Sequence, residues 1–201
     1  MLELPKECYV NKFIPKKVFY EKLGIASSVK DEFINIVDKI TWLYKLSEDT
    51  LSITKTDEVE EIQIFQIDLK ERKMPLSVIK SITKGIKYKI LFLIKYENEY
   101  CYAIKVDDIY STQWNEKITF DFNQINLEIL YQSIVKSIIK ENDNNKSFDK
   151  IIEERNKRID LLKRINQLKQ KIKAEKQFNR KTELNIELNK LLNEMENLNN
   201  E

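Results

Sequence analysis

Histidine does not occur anywhere in this 201-residue chain, and its absence closes off a large block of chemistry. Without imidazole there is no Ser-His-Asp or Cys-His nucleophile, no histidine metal ligand and no histidine proton shuttle. Any catalysis would have to run on carboxylates, lysine, tyrosine or serine. Cysteine is nearly as scarce: Cys8 and Cys101 lie far apart and form no Cys-x-x-Cys pair, which argues against a thiolate zinc site or a disulfide scaffold and fits a reducing compartment. With only two glycines and three prolines, collagen-like and linker-dominated organisations are excluded, and long regular elements are expected, with more helix than strand. The glycines, Gly24 and Gly85, stand alone, so neither a P-loop nor a dinucleotide fingerprint exists and no cofactor is implied.

Two further absences bear on location and partners. No apolar run approaches the roughly 18 residues needed to span a bilayer. The opening Met-Leu-Glu-Leu-Pro-Lys carries acid where a secretory signal needs base, so a cytoplasmic protein without a membrane partner is expected. Nor is there a charge excess: 35 basic residues face 33 acidic ones, and no bulk polyanion-binding field follows. Local charge has to be read instead.

What is present is enough apolar material for a core, 42 % of residues, with 34 % charged. The length fits one ordinary domain plus an appendage. Pro15 biases Ile14 toward extended backbone, and a helix is expected from Lys16 to Leu23, ended by Gly24. Ser27 or Ser28 is placed to cap a second helix, whose apolar stripe runs through Val29, Phe33, Ile36, Ile40 and Leu43, with Trp42 and Tyr44 adding aromatic bulk to the core. Ser52–Thr56 suggests a short strand, and Val59–Leu69 alternates as a strand except around Phe65. After Met74-Pro75, the residues Leu76, Ile79 and Ile82 predict a short helix closed by Gly85. Tyr88–Tyr96 and Tyr100–Val106 predict a β-hairpin at the sheet centre, and Thr112–Phe120 a further strand containing Trp114. A helix beginning at Asn123 or Asn126 carries Leu127, Leu130, Ile134 and Ile138 on one face.

Residues 141–147, poor in apolar side chains and rich in turn formers, read as a linker between an α+β body, 1–140, and a helical arm, 148–201. The expected fold is a small, mainly antiparallel sheet with packed helices, followed by a coiled-coil-like arm. In the arm, Leu161, Ile165, Leu168 and Ile172 step by four, three and four. Leu184, Leu188, Leu191, Met195 and Leu198 repeat that rhythm out of phase with the first set. The slip falls between Lys173 and Thr182. It is met either by one helix with a local change in supercoil or by a break where the chain folds back.

Charge favours the bent arm. Between Arg155 and Lys181 eleven bases oppose only Asp160 and Glu175, whereas from Glu183 onward five acids accompany the single base Lys190. A basic helix beside an acidic one relieves self-repulsion. The seam Leu161, Ile165, Leu168, Ile172, Leu184, Leu188, Leu191 and Met195 is the candidate surface for a larger protein partner or a second copy of the chain. Lys163, Arg164, Lys169, Lys171, Lys173, Lys176, Arg180 and Lys181 are the candidate contacts to a nucleic-acid backbone, whose counterions clustered cations release. The plainer reading of these cations is a solvated helix face, and Phe178 is the only aromatic among them.

Catalytic signals are sparse. Asp68-Leu69-Lys70 ends a hydrophobic strand, and Asp57 lies eleven residues before Asp68. That is the style of a restriction-endonuclease-like core in which paired acids hold a divalent metal and a lysine positions the attacking water. A strand-end Asp-x-Lys also arises by chance in a chain this charged. Asp107, Asp108 and Asp121 follow strands and offer oxygen ligands to a hard cation, although turns favour aspartate for conformational reasons alone. Lys12, Lys16 and Lys17 around Phe13 read as a solvated surface.

Several separated patches carry a resemblance. Asn11-Lys12-Phe13-Ile14-Pro15-Lys16 with Phe19-Tyr20, Ile40-Thr41-Trp42, Glu61-Ile62-Gln63-Ile64-Phe65, Ile90-Leu91-Phe92-Leu93, and Glu175-Lys176-Gln177-Phe178-Asn179-Arg180 with Glu183-Leu184-Asn185 resemble a bacterial and archaeal domain-of-unknown-function family numbered 4391. The resemblance spans nearly the whole chain. It implies a setting beside DNA methyltransferases and helicases of restriction-modification or phage-defence type, hence an accessory subunit with such a protein as partner. It brings no catalytic residues with it.

Overall fold

The computed structural model describes residues 2, 4–22, 24–141, 143 and 145–200. The apolar runs of the first part of the chain assemble into one six-stranded sheet whose spatial order follows the sequence. The strands are β1 (Tyr9–Phe13), β2 (Val37–Ser47), β3 (Glu61–Leu69), β4 (Lys89–Tyr96), β5 (Glu99–Lys105) and β6 (Ile109–Ser111). Every neighbouring pair is antiparallel except β3 and β4, which run parallel. A parallel step requires a crossover, and the helix α4 (Leu76–Gly85) supplies it. The remaining helices of this part are α1 (Lys17–Lys22), α2 (Ser27–Asn35), α3 (Glu48–Leu51) and α5 (Leu127–Ile139).

Alternation along the strands sorts the sheet into two faces. Phe65, Ile67, Phe92, Ile94, Cys101 and Ala103 pack with Phe19 of α1, Phe33 of α2 and Val78, Ile79 and Ile82 of α4 in one core cluster. Phe65 meets Phe92 edge-on at 6.4 Å. The other face carries the alternate residues, including Ile62, Ile64, Leu91 and Ile104, all fully buried. The helix α5 packs on strands β3, β5 and β6, and Lys89, on that second face, lies over the Tyr131 ring of α5 at 5.4 Å.

The first expected helix is present as α1, Leu23 lying outside the described residues. Gly24 follows it with φ +55, the left-handed conformation that glycine adopts without penalty. The second expected helix is only half a helix. α2 stops at Asn35 and is preceded by Ala26 with no side-chain cap, so neither Ser27 nor Ser28 caps it. From Val37 the chain is strand β2, paired with β3 from Val37↔Leu69 to Ser47↔Glu61. Two register shifts, at 37–39 and 42–44, spoil strict alternation. The apolar residues of a bulged strand thereby mimic helical spacing.

The β3 strand runs unbroken through Phe65, and the β4–β5 hairpin and the crossover helix stand as expected. Ser52–Thr56 contributes only an isolated bridge, Thr54 to Asn126. The strand expected at Thr112–Phe120 is absent; β6 is the three residues before it. Asn115 ends the pairing there: it is left-handed at φ 64, its N–H reaches the Tyr100 carbonyl at 2.6 Å, and its side-chain oxygen accepts from the Tyr100 N–H at 3.1 Å. Trp114 is held instead under the Arg72 guanidinium, 4.9 Å from its ring. Asn126 caps α5 by accepting from the Ile129 N–H, and Lys140 ends that helix in the left-handed region.

The chain divides into two compact units, Met1–Asn142 and Asp143–Glu201. Of the expected linker, Asn142 and Asn144 lie outside the described residues, as does Glu201 at the end of the arm. The second unit is a pair of long helices, α6 (Phe148–Ala174) and α7 (Phe178–Asn200). They pack along their apolar stripes in one cluster. The arm is therefore a helical hairpin, and the whole an α+β fold. Ser147 starts α6, accepting from the Lys150 N–H.

Candidate functional site: the cationic hairpin

No glycine or proline marks the turn of the hairpin; a carboxylate builds it. α6 ends when Glu175 turns extended at φ −73, ψ 131, and its side chain accepts from the N–H groups of Lys176 at 2.7 Å and Gln177 at 2.9 Å. The two bonds pin the residues between the helices in a tight turn immediately before α7. The same two bonds, that to Gln177 first, hold the Glu175 carboxyl below the usual glutamate range. The phase slip read from the heptads is this turn.

Leu161, Ile165, Leu168, Leu184 and Leu191 are buried in the seam, with Ile172, Leu188, Met195 and Leu198 packed against them. At the open end the Arg158 guanidinium donates to the Leu198 carbonyl at 3.1 Å, tying the start of α6 to the end of α7. These seam residues were the candidate partner surface. They are consumed in closing the hairpin, because two single-stripe helices bury their stripes most cheaply on each other. A partner has to use the outer surfaces.

Those outer surfaces are cationic. Lys163, Arg164, Lys169, Lys171, Lys173, Lys176, Arg180 and Lys181 are all exposed. Of the eight, only Arg180 has an ion-pair partner among the described residues, Glu183 at 2.6 Å. At the tip, Phe178 stands 82 % exposed among Lys176, Arg180 and Lys181. Two lysines without an ion-pair partner among the described residues, beside the paired Arg180 and an exposed ring, can hold phosphates and offer one apolar contact.

The acid pair and lysine are not brought together. Asp57 lies at the Glu61 end of β3, beside a shallow depression of about 60 Å³ shared with Glu60, Glu61, Lys87 and Lys89. Asp68 sits at the other end of the strand, roughly 23 Å away at about 3.3 Å per residue. Its carboxylate accepts from the Gln66 amide at 2.8 and 3.1 Å. Lys70 donates its ammonium to the Ile34 carbonyl at 2.8 Å and Lys16 donates to the Val37 carbonyl at 2.8 Å, so both secure the junction of α2 and β2. Asp57, Asp68 and Lys70 form no common site, and no group of three metal-ligating side chains occurs among the described residues. Asp121 accepts from the Asn123 N–H and the Gln124 amide, and Asp108 accepts from the Ile109 N–H, as turn formers do.

A second concave feature lies in the first unit, on the sheet face that carries Gln66, Leu93 and Lys95. It is a cleft of about 380 Å³ whose lining includes Tyr9, Leu43, Tyr44, Tyr100 and Tyr102. Tyr9 and Tyr44 are paired at 5.5 Å, and Tyr100 and Tyr102 at 5.7 Å. Burial pushes the Tyr102 phenol up to about 12, with Tyr100 adding to it, and burial raises Tyr44 as well. The sequence signal was the alternation Leu93, Lys95 and Tyr100, Tyr102 within the hairpin strands. It went unread because Tyr9 and Tyr44 join it only through the pairing of β1 with β2.

With the geometry in place, the chain can be set beside known families. The model of the family described as a domain of unknown function, DUF4391, covers residues 2–195. The chain belongs to this family. No curated protein and no solved structure matches it. The DUF4391 match extends across both units, so the hairpin is part of what defines the family rather than an appended segment. Among the described residues no helix is long and apolar enough to cross a membrane.

Proposed function

We propose that this DUF4391 chain is a non-enzymatic accessory or assembly subunit of a bacterial DNA-targeting complex, of restriction-modification or anti-phage type. It binds a larger protein such as a helicase or methyltransferase through the outer surface of its hairpin, whose cationic side chains also lie along the DNA backbone. One observation carries the reading: seven of the eight candidate cations on the hairpin project into solvent without an ion-pair partner among the described residues. A helix surface that needed only solubility would intersperse acids with these bases. The setting beside methyltransferases and helicases comes from the family resemblance alone.

The test is fluorescence anisotropy of the full chain with a labelled duplex across a salt series. Affinity should fall steeply between about 50 and 200 mM salt, and the fourfold variant Lys169→Glu, Lys171→Glu, Lys173→Glu, Lys176→Glu should flatten the logarithmic salt slope by about three to four. A flat response in the unaltered chain would remove the backbone contact from the proposal.

A further inference from the structure

The tyrosine cleft of the first unit belongs to none of this. No residue of α5 lines it; its walls come from β1, β2 and β5 with Leu2 and the Glu97–Asn98 turn at the ends, while Gln66, Leu93 and Lys95 of β3 and β4 form its floor. From β2 to β5 is three strand spacings, about 14 Å, so the two tyrosine pairs stand as opposite banks of a trough.

Three properties say what such a trough would hold. The hydroxyls of Tyr9, Tyr44, Tyr100 and Tyr102 have no hydrogen-bond partner among the described residues. The Tyr102 ring is buried, with 3 % exposure, while its hydroxyl is not among the buried unpartnered atoms and so opens toward the cleft. Lys95 is half-buried, and its ammonium has neither a hydrogen bond nor an ion pair among the described residues. An ammonium without a hydrogen bond or close ion pair at the cleft floor is available to an incoming anion. Finally, the negative groups are few and peripheral: Glu97 lines the cleft, and Asp68, beside the floor, is engaged by Gln66. One cation with carboxylates near it suits a single phosphate and opposes a strand of them. The volume of about 380 Å³ sits near the small end of ligand clefts, about 300–1,000 Å³.

We propose that this cleft binds a nucleoside monophosphate, its base stacked on the tyrosines and its phosphate on Lys95. Stacking is tolerant of base identity because every base has a π-face, so discrimination would fall to the Asn98 amide at the rim and the Gln66 side-chain carbonyl oxygen at the floor, the Gln66 amide nitrogen being held by Asp68. No glycine-rich loop is needed, since the phosphate is met by a side-chain ammonium rather than by backbone N–H groups. The proposal does not depend on the hairpin reading.

The experiment is isothermal titration of the full chain with adenosine and uridine monophosphates, with adenosine alone, and with a short oligothymidylate. The monophosphates should bind with millimolar or tighter affinity. Lys95→Ala should weaken them by about tenfold while leaving adenosine unchanged. Tyr44→Leu should weaken both by about tenfold or more, whereas Tyr44→Phe, which keeps the ring, should retain most of the affinity, separating lost stacking from lost fold. No heat from the monophosphates at millimolar concentration, equal affinity in Lys95→Ala, or binding of the oligonucleotide alone would overturn the proposal.

Discussion

Lys70 shows how a side chain can look catalytic in sequence and be structural in place. Its ammonium holds the Ile34 carbonyl at 2.8 Å, at the C-terminal end of α2, where a cation suits the exposed carbonyls. Lys70→Ala should therefore cost stability, up to about 1 kcal/mol in a denaturant melt. In the core, Phe92 is fully buried, and Phe92→Ala should cost about 3–5 kcal/mol. Burial also sets the alkaline limit. It pushes the Cys101 thiol and the Tyr102 phenol each up to about 12, while the unfolded chain releases those protons from about pH 9 and 10 respectively. Below those values both states hold their protons and nothing is gained or lost. Above them the unfolded state binds fewer protons than the native one, so stability falls with rising pH until the native groups titrate near 12. Denaturant midpoints measured between pH 8 and 11 should decline along this course. Iodoacetamide should label Cys101, which is buried and free, only after unfolding.

At the scale of elements, the local signals that read correctly were those needing no partner strand. The β4–β5 pair announces itself through two apolar runs around a short turn, α5 through Asn126 and its stripe, and the arm through its heptads. Failure came where pairing overrode pattern. The stretch 37–47 carries helix-like spacing, yet its apolar residues are drawn into the sheet by β3, with two register shifts absorbing the mismatch. Asp57 and Asp68 are close in sequence and far apart in space because a strand is extended, which spacing alone cannot show. The cleft was invisible for the related reason that its banks are brought together by three successive strand pairings. The hairpin turn makes a testable point of its own. Glu175 has a depressed folded-state pKa, so its contribution is present above the ordinary glutamate value, near 4.5, and is lost as pH falls through the lower folded value. Proteolysis within 175–177 should accelerate in Glu175→Ala at neutral pH, and in the unaltered chain only under acid conditions. Leu191, 4 % exposed in the seam, should cost the hairpin about 2 kcal/mol when cut to alanine.

At the scale of the whole molecule, a net charge of +2 conceals a strongly polar arm, basic from Arg155 to Lys181 and acidic beyond. Bringing the acidic helix back against the basic one lowers the repulsion that eleven clustered bases would otherwise impose, and it leaves the outward cations free for a polyanion. The two units each have their own apolar cluster, so they can respond separately to damage. Leu191→Asp, which buries a charge in the hairpin seam, should lower or remove one calorimetric transition and leave the body's transition in place. If the hairpin is the docking arm, removal of residues 148–201 should abolish co-elution with the native partner in size-exclusion chromatography while the body retains its cooperative melt. Full complex formation by the shortened chain would place partner binding in the body and reduce the arm to a nucleic-acid contact. Loss of the body's cooperative melt would mean that the first unit needs the second to fold, and the docking role would then have to be tested by charge reversal in the intact chain.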